Sequence, residues 1–148
     1  MNKTIADYIL IVEDSPVDYE IVTRSLRKAG IALPIHHCES GDEALDFLLP
    51  QGIADQAIDH PTLILLDLNL PGTDGREVLA RIKEDATTKA IPIVVLTTSN
   101  NQNDVKACYC HGANCYVKKP IKPDDYVEMA GALKDFWFNW TILPTEEC

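Results

Sequence analysis

The chain has 148 residues, enough for one domain with a sizeable core, and its 46% hydrophobic and 24% charged content fits a globular class rather than a disordered or fibrous one. A net charge of −10, from 13 basic and 23 acidic residues, argues against nucleic acid and against an anionic membrane surface, since both would repel it. No apolar run approaches the ~20 residues of a membrane helix, the first residues lack the small-residue cleavage site of a secretory signal, and five cysteines, an odd count, point to free thiols in a cytoplasmic protein rather than to a disulfide framework.

The first apolar run is Tyr8–Val12, and it ends on Glu13 and Asp14. Ser15 is placed to cap a helix with Pro16 at its first position; Val17, Ile21, Leu26 and Ala29 sit near helical spacing, and Gly30 ends it. Residues 34–40 suit a short strand on which His36 and His37 alternate, and Ala44, Leu45 and Leu48 share one side of a second helix. Gln51–Pro61 has no clear periodicity and is expected to be a long loop. A second apolar run, Thr62–Leu66, ends on Asp67; Val78, Leu79 and Ile82 then line one face of an amphipathic helix. The run Ile91–Leu96 ends on Thr97 and Thr98. A weak helix at 101–112 leads to a strand that closes on Lys118, Lys119 and Pro120, and residues 122–140 suit a long final helix.

Continuous apolar strands alternating five times with amphipathic helices predict an α/β fold with a parallel sheet covered on both faces and right-handed crossovers. Functional groups of such sheets gather beyond the carboxyl ends of the strands. Those ends carry Glu13 and Asp14, Asp67, Thr97 and Thr98, and Lys118 and Lys119. If the first and third strands are neighbours, three carboxylates crowd together, and a hard cation with oxygen-only ligands, Mg2+, would relieve their repulsion. A carboxylate beside such a cation, a lysine and a hydroxyl suits phosphoryl transfer, the carboxylate acting as nucleophile and forming an acyl phosphate.

The segments Val12–Ser15 (VEDS), Leu65–Gly75 (LLDLNLPGTDG), Val94–Ser99 (VVLTTS) and Tyr116–Pro120 (YVKKP) stand in the order and spacing of one family. Together they resemble the receiver domain of two-component response regulators, over about Ile5 to Leu133. The resemblance implies a flavodoxin-like, CheY-like doubly wound five-stranded sheet of order 2-1-3-4-5 with five helices. It implies Asp67 as phosphoacceptor; Asp14 and Asp67 with the Asn69 main-chain carbonyl as Mg2+ ligands and Glu13 acting on the ion through water; Thr97 as switch hydroxyl; Lys119 as the family's site lysine, with a cis Lys119–Pro120 bond; and Tyr116 as switch aromatic. The protein would then be a switch rather than a general enzyme. It would catalyse only its own phosphorylation and dephosphorylation, with a sensor histidine kinase as donor. The long loop before the third strand, Asp67–Lys83, Asn114–Pro120 and the tail Phe136–Pro144 are further similar to small cyanobacterial-type regulators that pair with phytochrome histidine kinases. On this basis residues 1–148 form one receiver domain with an aromatic extension at about 134–148. Thr98 departs from the Ala or Ser common after the switch hydroxyl, and Asn69 is polar where it could have excluded water.

Several residues have plainer readings. Asp67 could cap a turn, Glu13–Asp14 could favour a helix N-terminus, Thr97–Thr98 suit a strand end, Tyr116 could be a half-buried strand aromatic, and Lys118 suits solvent. Cys108, Cys110, His111 and Cys115 invite a zinc site, but C-x-C is not a usual ligand spacing and residues two apart on a helix face apart. Tyr126, Met129, Ala130, Leu133, Trp137 and Trp140 fit one helical face, with Phe136 and Phe138 off its centre. So aromatic a helix predicts a homodimer or partner surface made by the fourth helix, fifth strand, fifth helix and tail, with Phe136, Phe138 and Trp140 in it. Two rival functions are weaker. An aspartyl phosphatase would want an acid where Asn69 stands, and a flavin module would want a phosphate-cradling loop where the acidic residues 13–18 stand.

Overall fold

A computed structural model of the chain describes residues 5–49 and 59–148. The expected loop at 51–61 therefore lies mostly outside the described residues, its end marked by His60, which bridges in parallel to Ile5. Among the described residues strands and helices alternate: β1 (Ile9–Val12), α1 (Pro16–Lys28), β2 (Ile35–Cys38), α2 (Gly41–Leu48), β3 (Leu63–Leu66), α3 (Gly75–Glu84), β4 (Ile93–Thr97), α4 (Gln102–Cys110), β5 (Cys115–Lys118) and α5 (Pro123–Lys134). A π-helical turn, Asp135–Trp140, continues α5. All strand pairs are parallel and the order is β2-β1-β3-β4-β5.

The apolar strands are uniform in sequence but divide their side chains by the period of two. Ile64 and Leu66 pack with Leu10, Val12 and Val95 under α2 and α3; Leu63 and Leu65 pack with Ile9, Ile11, Val94 and Leu96 under α1 and α5. Both faces are thus buried, which is why β1, β3 and β4 show no polar alternation. His36 and His37 follow the same rule on the edge strand: His36 stacks on Phe47 and His37 on Tyr19, against opposite faces.

Helix starts are fixed locally. Ser15, Ser40, Asp74 and Asn101 each accept a backbone N–H of the first turn they precede, and Gly30 takes φ 92° just past α1. Three expectations are corrected. Val17 is exposed; the buried stripe of α1 is Val22, Ser25 and Leu26. Trp140 is 84% exposed while Trp137 is buried, because the wider i→i+5 turn carries Trp140 off the face that an α-helix would have continued. The Lys119–Pro120 bond is trans, the form that X–Pro bonds favour by about 0.5–1 kcal/mol.

Candidate functional site at the carboxyl edge of the sheet

Three neighbouring strands, β1, β3 and β4, end side by side, and the residues that follow β1 and β3 meet. Asp67 follows β3, and its backbone N–H still donates to Val12 O at 3.1 Å, which holds it in register with the end of β1. It is 6% exposed. Glu13, buried, and Asp14, exposed, follow β1. One carboxylate oxygen from each of Glu13, Asp14 and Asp67 lies within 4.8 Å of the others, the single such acidic or metal-ligating cluster among the described residues. An all-oxygen donor set of three acids with one open side fits a hard divalent cation.

Lys119 enters from the end of β5, its N–H bonded to Thr97 O at 2.7 Å. Its buried ammonium donates to Asp67 Oδ2 at 3.1 Å, to Asp18 Oδ2 at 2.8 Å and to Glu13 Oε1. Burial pushes the Lys119 pKa down, but the hydrogen bonds to Asp18 and Glu13 and the charge of Asp67 outweigh it, so the amine is held above its ordinary range. Burial pushes the Glu13 carboxyl the other way, up to about 7; the Lys119 hydrogen bond opposes this and the Asp67 charge adds to it. Lys118, next door, is exposed.

Thr97 closes β4 with no exposed surface, and its Oγ1 has no hydrogen-bond partner among the described residues. A buried hydroxyl left unpaired costs on the order of 1–3 kcal/mol, so its presence calls for a function. Thr98 is exposed beside it. The Asn69 amide donates to Asp67 Oδ1 at 3.3 Å, and its side chain is exposed. The turn after Asp67 folds back tightly: Gly75 N donates to Leu68 O at 2.9 Å, and a Cβ on Gly75 would collide with the backbone of Asp67 and Leu68. Glycine there is what lets α3 begin beside the acid.

Tyr116 does not reach the acids. Its hydroxyl donates to Ser99 O at 2.8 Å, in the loop that Thr97 opens. Ser99 Oγ donates to Asp104 Oδ2 at 2.7 Å, and Arg76 of α3 donates to Asp104 Oδ1 at 2.9 Å. Phe136, Phe138 and Trp140 lie after α5, away from this cluster; Phe136 and Trp140 are exposed, and Phe138 is half-buried against the α1–α5 side of the core. Cys108 is buried, Cys115 half-buried and Cys110 exposed, so those thiols do not converge.

Asp18 is the site residue that the strand ends did not reveal. It sits in the first turn of α1, its N–H held by Ser15 Oγ at 3.2 Å. The signal was available: Ser15 as cap fixes the turn, and helical side chains lean toward the N-terminus, which here faces the sheet's carboxyl edge.

The sequence matches the response regulator receiver domain family over residues 9–131. The chain belongs to that family. Among receiver proteins, it is 43% identical to Response regulator Rcp1 of Synechocystis sp. over 136 residues, 92% of each chain. Its fold is similar to that of the phosphorylated cyanobacterial phytochrome response regulator RcpA, with a TM-score of 0.86 and 37% identity over 94% of this chain and 99% of that one. It is equally similar to the Mn2+-bound form of Rcp1, with a TM-score of 0.85 and 42% identity over 95% and 100%. As a response regulator receiver, the chain stands in a family that takes phosphoryl groups from histidine kinases. Among its described residues no helix is long and apolar enough to cross a membrane.

Proposed function

We propose that Asp67 is the phosphoacceptor of this receiver and that a sensor histidine kinase, of the phytochrome class, is its donor. The observation that carries the reading is the arrangement around Asp67: a buried carboxylate inside an acidic oxygen cluster, salt-bridged to a buried lysine, with a buried hydroxyl, partnerless among the described residues, at the end of the adjacent strand. The relatives' link to phytochromes supports the donor class.

An oxygen of Asp67 forms the new bond to phosphorus as the bond from phosphorus to the donor's leaving atom breaks; the leaving group departs with that electron pair, and a carboxylic–phosphoric anhydride remains. Asp14, Asp67 and the Asn69 carbonyl would hold Mg2+, with Glu13 acting on it through water; bound there, the ion supplies positive charge against the phosphoryl oxygens. Lys119 supplies a second positive charge, already aimed at Asp67. Thr97 Oγ1, with no competing partner, would donate to a phosphoryl oxygen, and Thr98 beside it would narrow access for water. Drawing Thr97 inward would move the loop that Tyr116 grips through Ser99, so the signal would pass to the α4–β5–α5 face.

The readout would be a homodimer built on that face and the tail. A groove of about 440 Å3 lined by Cys115, Val117, Met129, Leu133, Phe136 and Trp137 lies there, and Trp140 and Ile142, later in the same tail, are exposed. On this reading residues 1–148 act as one cytoplasmic receiver domain whose catalysis is limited to its own phosphorylation state, without nucleic-acid or membrane contact.

Incubation with a radiolabelled phytochrome-type histidine kinase, ATP and Mg2+ tests the proposal. Label should pass to the wild-type chain, chelator should stop the transfer, and Asp67→Asn should receive none. Equal labelling of Asp67→Asn would remove Asp67 from the role.

A further inference from the structure

We propose that Asp18 is a positioning residue for phosphoryl transfer at Asp67: it takes one of the three ammonium protons of Lys119 and so keeps the amine aimed at the space beside the acceptor. The inference rests on the reading of Asp67 as phosphoacceptor and goes beyond the residues that the family motif supplies.

A lysine ammonium has three donors on a flexible four-carbon stem, and it points wherever its acceptors are. Lys119 has three carboxylate acceptors, one per proton: Glu13, Asp18 at 2.8 Å and Asp67 at 3.1 Å. Their duties differ. Asp67 is the partner that changes during the reaction. When one of its oxygens becomes bonded to phosphorus the carboxylate loses its charge, and its hold on the amine weakens as the phosphoryl oxygens come to need that charge. Glu13 is divided: its other oxygen takes the Ser15 N–H at 3.2 Å, and it belongs to the acidic cluster. Asp18 stands outside that cluster and has Lys119 as its ionic partner. Its own backbone is fixed by the Ser15 cap, so the anchor does not depend on the acceptor's state. Asp18 thus supplies a constant hold on an amine whose third partner is transient.

The test measures phosphorylation by acetyl phosphate and Mg2+ across donor concentrations, in wild type, Asp18→Ala and Asp18→Asn, and again with Lys119→Ala added. Asp18→Ala should lower the rate at saturating donor on the order of tenfold, the scale of one charge-assisted hydrogen bond lost from the transition state. The KM for the dianionic donor should stay the same or fall, since a negative charge is gone. Asp18→Asn, whose amide oxygen still accepts a lysine proton, should recover most of the rate. With Lys119→Ala in place, Asp18→Ala should cost nothing further. A second readout avoids the chemistry: the Lys119 ammonium signal in 15N spectra should broaden through faster solvent exchange in Asp18→Ala and not in Asp18→Asn. Asp18→Ser repeats the series should the alanine variant fail to fold. A full rate in Asp18→Ala, an equal loss in the Lys119→Ala background or an unchanged ammonium signal would overturn the inference. Labelling of Asp67→Asn would instead overturn the reading beneath it, which separates the two failures.

Discussion

The carboxyl edge of the sheet and the segment after α5 break the same rule in opposite directions. The first buries charge: Glu13, Asp67 and Lys119 sit out of water together, with a Thr97 hydroxyl that no described group satisfies. The second exposes apolar surface: Phe136, Trp140 and Ile142 face solvent while buried Trp137 and half-buried Phe138 anchor the turn. Each arrangement is unfavourable by itself and would become favourable with the occupant proposed for it, a cation and a phosphoryl group at one end, a second apolar surface at the other. The difference lies in how each is held. Polar groups at the edge are fixed by mutual hydrogen bonds and tolerate little change, whereas the exposed aromatics contribute little to the fold that carries them.

Substitutions should separate the two regions by size of effect. Trp137→Ala should cost about 3–5 kcal/mol in urea unfolding, the range for removing a buried aromatic, while Trp140→Ala should change stability by less than about 0.5 kcal/mol. Comparable losses for both would mean that Trp140 packs. Lys119→Ala should cost about 3 kcal/mol without divalent cation, because it strips the counter-ion from buried carboxylates, and added Mg2+ should return much of the loss. Asp14→Asn should do the reverse. Relief of repulsion from Glu13 and Asp67 should raise metal-free stability by about 1 kcal/mol and remove the gain that Mg2+ gives wild type. A destabilised Asp14→Asn would contradict the like-charge account.

Phe136→Ser with Trp140→Ser should leave the melting temperature nearly unchanged and convert a dimer to a monomer by light scattering. An unaltered dimer mass would remove both residues from the interface. The smallest effects concern the thiols. Burial pushes Cys38 up to about 12, above its ordinary range, so at pH 8 it should stay a thiol and react with Ellman's reagent only on unfolding, whereas exposed Cys110 and Cys148 should react at once. Prompt reaction at Cys38 would place it nearer the surface than described.

The sequence disclosed the edge and misjudged the segment after α5 for one physical reason. Asp67, Glu13, Asp14 and Lys119 each follow a short strand and Thr97 closes one, and in a parallel sheet every strand end arrives on the same edge, so order along the chain nearly dictates the meeting in space. The period of two leaves little room for error in a strand of four residues. Helical phase is less forgiving. Val17 fits the spacing of α1 but lies outside its buried stripe, and one change from α to π turn carries Trp140 off the face that its spacing assigns. Asp18 is illegible from strand order for the same cause, since its meeting with Lys119 depends on how the first turn of α1 is capped and aimed. Tyr116 lies inside β5 rather than at its end, and its ring extends to the Ser99 carbonyl, a contact made by side-chain length rather than by strand order.

The central claim is tested most directly by mass spectrometry of the chain after incubation with acetyl phosphate and Mg2+. The account predicts a single added phosphoryl group, mapped by peptide analysis to Asp67, absent without divalent cation and absent in Asp67→Asn. A phosphoryl group on any other residue, or an undiminished one in Asp67→Asn, would contradict it.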